Sequence, residues 1–424
     1  MGNNWYKLDN AAKIYPAAQT SRWAPIFRLS ATLNEEVDVE VLNEALVHVL
    51  RRMPTMACRL KAGLFWYRLE SVEGVPTIEV DVRNPMLRID SRKSGGFLFR
   101  VRCYHCRIAV EFFHAVSDGT GGLTFLLTMV REYLRLRYGA DIPTGERILD
   151  CSADPSPEEM EDAFLRHASD ESISRKEPLA YTLQGTHIPR EEVILTSGTA
   201  PTDRLLALAR QHNATLGELL TALLIQAIAE VQRGDRSKVR RRRQVKVSVP
   251  VNLRPYFNSK TLRNFSSYIN VGIDTRLGEH TLDEIISQTH HTMKLGLTEK
   301  QLRGRFSGNV ALEKTLVIRM LPLVLKNPIM RSIYNYEGKR YISSTLTNIG
   351  LVNLPEEMQR YVERLDFLLG PSTSAITQMA TISYNNQTSL NFTRTMAESD
   401  VERCFFRSLV RMGVPVRVES NRRN

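Results

Sequence analysis

The chain has 424 residues, which is too long for one ordinary hydrophobic core and predicts about two packed units. Hydrophobic residues make up 42% and charged residues 24%, values that exclude disorder over most of the chain. The formal net charge of +11 would suit nucleic acid, an anionic membrane or a phosphorylated ligand. The sequence contains no zinc-finger spacing, homeodomain-like run or RNA-binding aromatic signature, so we expect no nucleic-acid partner.

The five cysteines and the N-terminal residues indicate the cellular compartment in which we expect the protein. An odd, small number of cysteines favours a reducing environment over a disulfide framework. Residues 1–6 lack the apolar core and cleavage site of a signal peptide, and position 6 lacks the Ser or Thr of a myristoylation pattern. No apolar run approaches the roughly 18 residues that cross a bilayer. We therefore expect a cytoplasmic protein without a transmembrane segment.

The first unit, residues 1–145, has a mixed α and β pattern. Apolar spacing predicts helices over 41–52 and 123–134. Strands are expected at 65–69, 97–101 and 107–113, the last two joined by a hairpin tip at 103–106.

Residues 146–180 are predicted to link the first unit to a second. The segment is polar, acidic and rich in Pro and Ser, which is typical of a connection. It contains one helix start, with Ser156 as the N-cap, Pro157 at the first helical position and Glu159 at the third.

The second unit, residues 181–424, is again mixed. The predicted helices are 203–210, 216–231, 282–295 and 400–412. The predicted strands are 245–251, 268–273, 381–384 and 389–393, the last two forming a hairpin around Asn385 and Asn386.

A histidine follows the strand predicted at 107–113. The strand alternates in pattern, is at least half buried and stops at His114, which suits a side chain that faces a cleft. Asp118 precedes the next helix as a candidate cap, and Gly119, Gly121 and Gly122 permit tight turns and close backbone approach. On these local grounds alone, the stronger interpretation is a core histidine followed by an N-cap.

Residues 114–119, His-Ala-Val-Ser-Asp-Gly, resemble the His-His-x-x-x-Asp-Gly motif of the chloramphenicol-acetyltransferase-like superfamily. That superfamily includes nonribosomal condensation domains, polyketide-associated acyltransferases, wax ester synthases and alcohol acetyltransferases. The second histidine of the motif is catalytic in the family and corresponds to His114. Phe113 replaces the first histidine, a departure that favours the alcohol-acetyltransferase branch over a condensation domain.

Three further segments resemble the same family. Residues 5–9 (Trp-Tyr-Lys-Leu-Asp) and 14–16 (Ile-Tyr-Pro) are similar to the entry of alcohol-acetyltransferase-like proteins. Residues 249–255 are similar to the strand that carries a structural arginine, and residues 347–350 to a Ser-Asn-Leu-Gly segment. The resemblance thus covers both halves. It implies an α/β (α+β layered) fold of two acetyltransferase-like lobes, a pseudo-dimer with the active-site tunnel between them.

The resemblance also implies a reaction. Neutral His114 would take a proton from an alcohol or amine acceptor, which attacks the carbonyl of an acyl thioester, and would return that proton to the thiolate. The donor would be an acyl-coenzyme A or, as the alternative, a thioester on an acyl carrier protein. A catalytically inactive binding relative is a third possibility. We expect a monomer without a metal or a permanently bound cofactor.

The remaining site residues are assigned by the same resemblance. Asp118, Gly119 and Arg254 are expected to be structural, with Arg254 as the ion-pair partner of Asp118. Asn348 or a backbone amide could stabilise the oxyanion. For Asn348, the alternative is a turn residue before Gly350.

Three other features have both a structural and a functional interpretation. The basic run 233–243 is either a solvated loop or a contact for phosphates or a carrier protein. Cys103 and Cys106 are expected to face each other across a hairpin tip and not to bind zinc. The apolar stretch 316–329 is expected to be buried packing, with Pro322 and Pro328 breaking any long helix. Its alternatives are a flap at the tunnel mouth or contact with a membrane surface.

Overall fold

The computed structural model describes residues 5–19, 24–173, 177–189, 192–371 and 376–422. Within these ranges the strands are β1 (Trp5–Lys7), β2 (Ile26–Leu33), β3 (Cys58–Ala62), β4 (Tyr67–Ser71), β5 (Glu79–Val80), β6 (Phe99–Tyr104), β7 (Arg107–Phe113), β8 (Ile194–Pro201), β9 (Val245–Asn252), β10 (Ser266–Ile273), β11 (Ser344–Leu351), β12 (Val362–Leu369), β13 (Thr377–Tyr384), β14 (Gln387–Arg394) and β15 (Arg417–Ser420).

The helices in the same ranges are α1 (Ile14–Ala18), α2 (Val39–Arg52), α3 (Gly119–Tyr138), α4 (Pro157–Met160), α5 (Ala163–His167), α6 (Thr202–Gln211), α7 (Leu216–Arg233), α8 (Lys238–Arg241), α9 (Arg254–Phe257), α10 (Leu282–Gly296), α11 (Glu299–Lys314), α12 (Leu316–Met320), α13 (Leu323–Arg340), α14 (Glu356–Gln359) and α15 (Asp400–Arg411). A 3-10 turn spans Thr275–Leu277.

The strands form two large sheets and one small one. The first sheet has the order β12-β2-β7-β6-β5, and the second has the order β10-β9-β11-β13-β14-β8-β15. The small sheet is β1-β4-β3. Most neighbouring strands are antiparallel, but β11 runs parallel to both β9 and β13. Each large sheet carries its own hydrophobic core, so the chain has two lobes.

Strand β12 departs from the expected division of the chain at residues 146–180. It belongs to the second half of the sequence, yet it pairs with β2 of the first sheet, where Phe367 lies opposite Leu29. Its apolar side chains join the core of the first lobe. The sequence pattern of a half-buried strand does not specify its partner sheet, so this crossover could not be predicted from alternation alone.

Several local predictions are confirmed. Strand β7 has the expected bounds, and Ser156 and Glu159 form a capping box at the start of α4. Asn385 and Asn386 both have positive φ, of 49° and 54°, between β13 and β14. Asparagine is one of the few residue types that readily adopt positive φ in a tight hairpin turn.

The segment 146–180 is docked on the protein. Glu159 accepts two hydrogen bonds from Arg52 of α2, at 2.6 and 2.7 Å, and its backbone carbonyl accepts one from Leu262 N–H at 2.9 Å. Phe164 of α5 packs against Phe265 and Phe306 in a small aromatic cluster. The connection therefore helps to hold the loop that precedes β10.

The apolar stretch 316–329 differs from its prediction. Helix α12 ends before Pro322, but α13 continues through Pro328, and many of its apolar side chains are exposed. Two contacts just before Pro328 hold the helix: Lys326 Nζ donates to the Phe65 carbonyl and Asn327 Nδ2 to the Tyr67 hydroxyl, both at 2.8 Å. Burial as lobe packing is therefore wrong for the outer side of this segment.

Among the described residues, no single helix has the length and hydropathy needed to cross a bilayer. Helices α6 and α7 meet those criteria only as a pair, and the pair is bent by 80°.

Candidate active site

His114 lies where the first sheet ends. It follows β7 directly, and its backbone N–H donates to the Pro25 carbonyl at 2.8 Å, which continues the pairing with β2. The imidazole is partly buried. Its ring stacks on Tyr15 of α1, with centroids 4.7 Å apart, and meets the edge of Phe27 at 5.2 Å. These aromatic neighbours restrict how the ring can turn.

Asn264 sets the protonation pattern of the His114 ring. Its Nδ2 donates to the His114 carbonyl at 3.0 Å and to Asp9 Oδ2 at 3.1 Å. Both partners are acceptors, so the amide orientation is fixed and Oδ1 faces His114 Nδ1 at 2.9 Å. In the neutral imidazole Nδ1 must then carry the proton, which leaves the lone pair on Nε2. No described residue hydrogen-bonds to Nε2.

Asp9 supports this arrangement from the N-terminal segment. It is fully buried and accepts a hydrogen bond from Ala12 N–H at 2.7 Å in addition to that of Asn264. Burial raises the pKa of Asp9, and the positive charge of Arg263, 3.8 Å away, opposes that rise. The resemblance of residues 5–9 pointed to this segment but gave Asp9 no role, and Asn264 carried no motif that would have marked it.

Asp118 is the N-cap of α3 and contacts the second half of the chain. Its carboxylate accepts two hydrogen bonds from Arg254, at 2.9 and 3.0 Å, and one each from the backbone N–H groups of Gly121 and Phe265. Burial raises the pKa of Asp118, but Arg254 and the two N–H donors outweigh it, so the pKa lies below its usual value. The expected Asp118–Arg254 contact is present.

Arg254 uses all five of its N–H donors. Besides Asp118, it donates to Asn252 Oδ1 at 3.0 Å and to the carbonyls of Thr261 and Arg263 at 2.7 and 2.6 Å. It thereby fixes the loop 258–265 whose Asn264 holds His114. The side chain faces this loop and the carboxylate, with 11% of its surface exposed, which suits a structural role.

The glycines of the motif differ in their surroundings. A Cβ on Gly121 would lie 2.1 Å from the Leu262 carbonyl oxygen, whereas one on Gly119 would lie 3.4 Å from the Phe367 ring. Ser117 Oγ donates to the same Leu262 carbonyl at 2.7 Å. The expected close backbone approach therefore occurs at Gly121, whereas Gly119, the glycine of the family motif, is in looser contact with β12.

Asn348 lies on β11 of the second sheet, whereas His114 follows β7 of the first. Its Oδ1 accepts a hydrogen bond from Gly350 N–H at 2.8 Å, and Gly350 has a φ of 84°. The side chain is exposed, and within the described ranges no hydrogen bond joins it to His114. The observed geometry is that of the turn residue, the alternative that the sequence left open.

The other candidate features lie apart from this site. Arg233 and Arg240 of the basic run pair with Glu279 and Asp235, at 2.5 and 2.8 Å. The run precedes β9, and the eight residues of that strand, about 23 Å from first to last, separate it from the Arg254 end. The described residues hold no group of three or more His, Cys, Asp or Glu side chains able to bind a metal ion.

The two lobes, joined through His114–Asn264 and Asp118–Arg254, have the fold of chloramphenicol-acetyltransferase-like acyltransferases and condensation domains. Polyketide synthase associated protein 5 from Mycobacterium tuberculosis is 15% identical, with a TM-score of 0.60 over 96% of this chain and 97% of that one. TRI101 of F. graminearum, solved with coenzyme A and T-2 mycotoxin, is 12% identical with a TM-score of 0.62 over 94% and 96%. The first condensation domain of the calcium-dependent antibiotic synthetase is 13% identical with a TM-score of 0.62 over 98% and 99%.

Among curated sequences, two uncharacterized proteins of Mycobacterium tuberculosis, from strains CDC 1551 / Oshkosh and ATCC 25618 / H37Rv, are each 24% identical over 254 residues. The match covers 59% of this chain and spans only 57% of the length of those relatives. No family model matches the chain. At these identities the similarity establishes the fold and leaves the activity to be argued from the site.

Proposed function

We propose that the protein is an acyltransferase that moves an acyl group from a coenzyme A thioester to an alcohol or amine acceptor. The observation that carries this proposal is the fixed ring of His114. Asn264 Oδ1 accepts a hydrogen bond from the Nδ1–H of His114, so the basic lone pair of Nε2 has no hydrogen-bond partner among the described residues. Such a histidine at the contact of two lobes is suited to accept a proton from an acceptor.

The reaction is a proton relay around one carbonyl. Nε2 of His114 takes the proton of the acceptor hydroxyl or amine as the acceptor oxygen or nitrogen attacks the thioester carbon. The tetrahedral intermediate then collapses, the carbon–sulfur bond breaks, and the imidazolium returns the proton to the thiolate. The products are an ester or amide and free coenzyme A, and the protein ends in its starting protonation state. General base catalysis contributes roughly 10²–10⁴ in rate.

The residues around His114 would hold the site in place without contacting the reacting atoms. Asp118 and Arg254 hold α3 and the loop 258–265 in register, and Gly119 begins the helix that follows the motif. Asn348 has the weakest support as an oxyanion donor, because its Oδ1 accepts the Gly350 N–H of the turn and its side chain is exposed; Nδ2 is the group that would donate. An oxyanion donor typically contributes about 10²–10³ in rate.

Thiol release tests the proposal. The purified 424-residue chain is mixed with acetyl- and longer acyl-coenzyme A and a panel of alcohols and amines, and free thiol is measured. We expect acceptor-dependent release that His114→Ala abolishes. His291→Ala is the matched control, since His291 is exposed on α10 and bonds only within its helix. Equal release by His114→Ala would overturn the site.

The donor is tested in a parallel arm. A carrier protein loaded with the same acyl group replaces acyl-coenzyme A in the assay. Product formed only from the loaded carrier would replace the coenzyme A donor with a condensation-type reaction and would leave the role of His114 intact. No release with either donor would favour an inactive binding relative.

A further inference from the structure

Helices α12 and α13 expose an apolar surface, which we call the outer face. It is formed by Leu316 and Met320 of α12 and by Leu325, Ile329, Ile333 and Tyr336 of α13. Each of these side chains has about half or more of its surface exposed, and Leu316 reaches 73%. Buried packing does not account for them.

The four residues on α13 form one continuous stripe. Their spacings of four, four and three residues keep them within about 80° of arc at 100° per residue. A helix on the surface of a water-soluble lobe normally turns its apolar stripe inward and its polar residues outward. Contiguous apolar surface of this kind marks an interaction site.

Specific contacts on the opposite side of α13, which faces the lobe, fix the orientation of the helix. Lys326 is buried, donates to the Phe65 carbonyl and lies over the Trp66 ring at 3.5 Å. Arg331 donates to the carbonyls of Ala17 and Gln19 at 3.1 and 2.9 Å. Polar groups thus attach the helix to the lobe, while the aliphatic groups face outward.

The segment of the chain that contains the outer face is rich in Lys and Arg. Residues 294–340 contain ten Lys and Arg against three Asp and Glu, and of the ten cations Lys326 and Arg331 attach the inner side of α13. Lys314, Arg319 and Arg340 are exposed beside the apolar side chains. Arg340 lies over the Tyr336 ring at 3.7 Å, at the end of the stripe.

We infer that the outer face binds the surface of an anionic phospholipid bilayer. Exposed aliphatic side chains flanked by Lys and Arg are what an interfacial helix needs, since the former enter the acyl region and the latter meet anionic headgroups. A second copy of the chain fits poorly, because a self-complementary contact would bring the same excess of cations together.

This placement puts the bilayer next to the candidate active site. Helix α13 packs on α1 through Arg331, and α1 carries Tyr15, which stacks on the His114 ring. The His114 ring is thus linked to the helix that carries the outer face through α1. The binding itself does not depend on any catalytic activity.

Vesicle co-sedimentation of the full chain tests the inference. Vesicles of phosphatidylcholine alone are compared with vesicles that contain about 30% phosphatidylglycerol, at low salt and at high salt. We expect binding to the anionic vesicles that high salt weakens. The triple variant Leu325→Gln, Ile329→Gln, Ile333→Gln should lower the partition coefficient by about tenfold or more.

The matched control replaces three exposed apolar residues elsewhere, as Val80→Gln, Leu277→Gln, Val410→Gln, and should bind like the unaltered protein. Equal binding by both triple variants, or no binding to anionic vesicles at low salt, would overturn the inference. So would self-association or capture of an acidic carrier protein that only the α13 variant loses.

A spectroscopic arm reports directly on insertion. Tyr336→Trp places an indole at the end of the stripe, and vesicles with brominated acyl chains should quench its emission. Val80→Trp is the control and should not be quenched. Quenching absent at position 336 while the protein co-sediments would assign the lipid contact to another surface.

Discussion

Asn264 Oδ1 lies 2.9 Å from His114 Nδ1, and two hydrogen bonds from Asn264 Nδ2 fix that orientation. The contact joins residues 150 positions apart, from a loop of the second half to the end of β7. It therefore ties the orientation of the proposed base to the contact between the two lobes.

Asn264→Ala should lower kcat by roughly 10–10³ because the neutral ring is then free to adopt the other tautomer or to turn. KM should change little, since Asn264 does not face solvent. Nitrogen NMR of the imidazole would report the tautomer directly. In the protein the proton should be on Nδ1, and in the variant a mixture should appear. An unchanged tautomer with lowered kcat would refute the positioning role.

Asp118→Ala should destabilise the fold by about 3–5 kcal/mol, because it leaves the Arg254 guanidinium buried without its carboxylate. The measurement is a denaturant or thermal melt of purified protein. Asp118→Ala combined with Arg254→Met should recover part of that loss. A fully stable Asp118→Ala protein would contradict a structural pairing.

The same pair predicts a pH dependence. The folded pKa of Asp118 is lowered, so its contribution to stability is present above the unfolded pKa of about 4 and is lost as pH falls through the folded value. Stability should therefore fall less steeply below pH about 4 in Asp118→Asn than in the unaltered protein. Parallel curves would show that Asp118 titrates normally.

The parts of the fold and site that the sequence predicts are those set by interactions between residues close together in the chain. Strand β7 and the Asn385–Asn386 turn follow from alternation and turn chemistry, which are local. The Asp118–Arg254 contact is long-range and was expected only because both segments resemble one family. Asn264 and β12 had no local signal, since an amide in a loop and a half-buried strand look alike wherever they pack.

Asp162 provides a test of stability near the proposed site. Burial, and then the negative charge of Asp9, raise its pKa to about 6, and Oδ2 is buried without a hydrogen-bond partner in the described part of the chain. With the folded pKa above the unfolded value, the carboxylate destabilises the fold above pH about 6 and does not below about 4.

Asp162→Asn should therefore stabilise the protein by about 1–3 kcal/mol at pH about 8 and have a smaller effect at pH about 5. Asparagine keeps the N-cap that Asp162 provides to Phe164 N–H at the start of α5. Melting temperatures at the two pH values measure the difference. An equal or negative effect at the higher pH would show that the carboxylate is well accommodated.

The two glycines of the helix start give a matched pair of substitutions. Gly121→Ala should lower stability by about 2 kcal/mol or more, since the Leu262 carbonyl, 2.1 Å from the added Cβ, is backbone and must shift. That shift would move the loop that carries Asn264, so activity should fall as well. Gly119→Ala meets only the Phe367 ring at 3.4 Å and gains helix propensity, so it should change stability by less than about 1 kcal/mol. Thermal melts and thiol release are measured on both variants. A larger loss of stability in Gly119→Ala than in Gly121→Ala would show that the contact of Gly119 with β12 is tighter than the approach of Gly121 to Leu262.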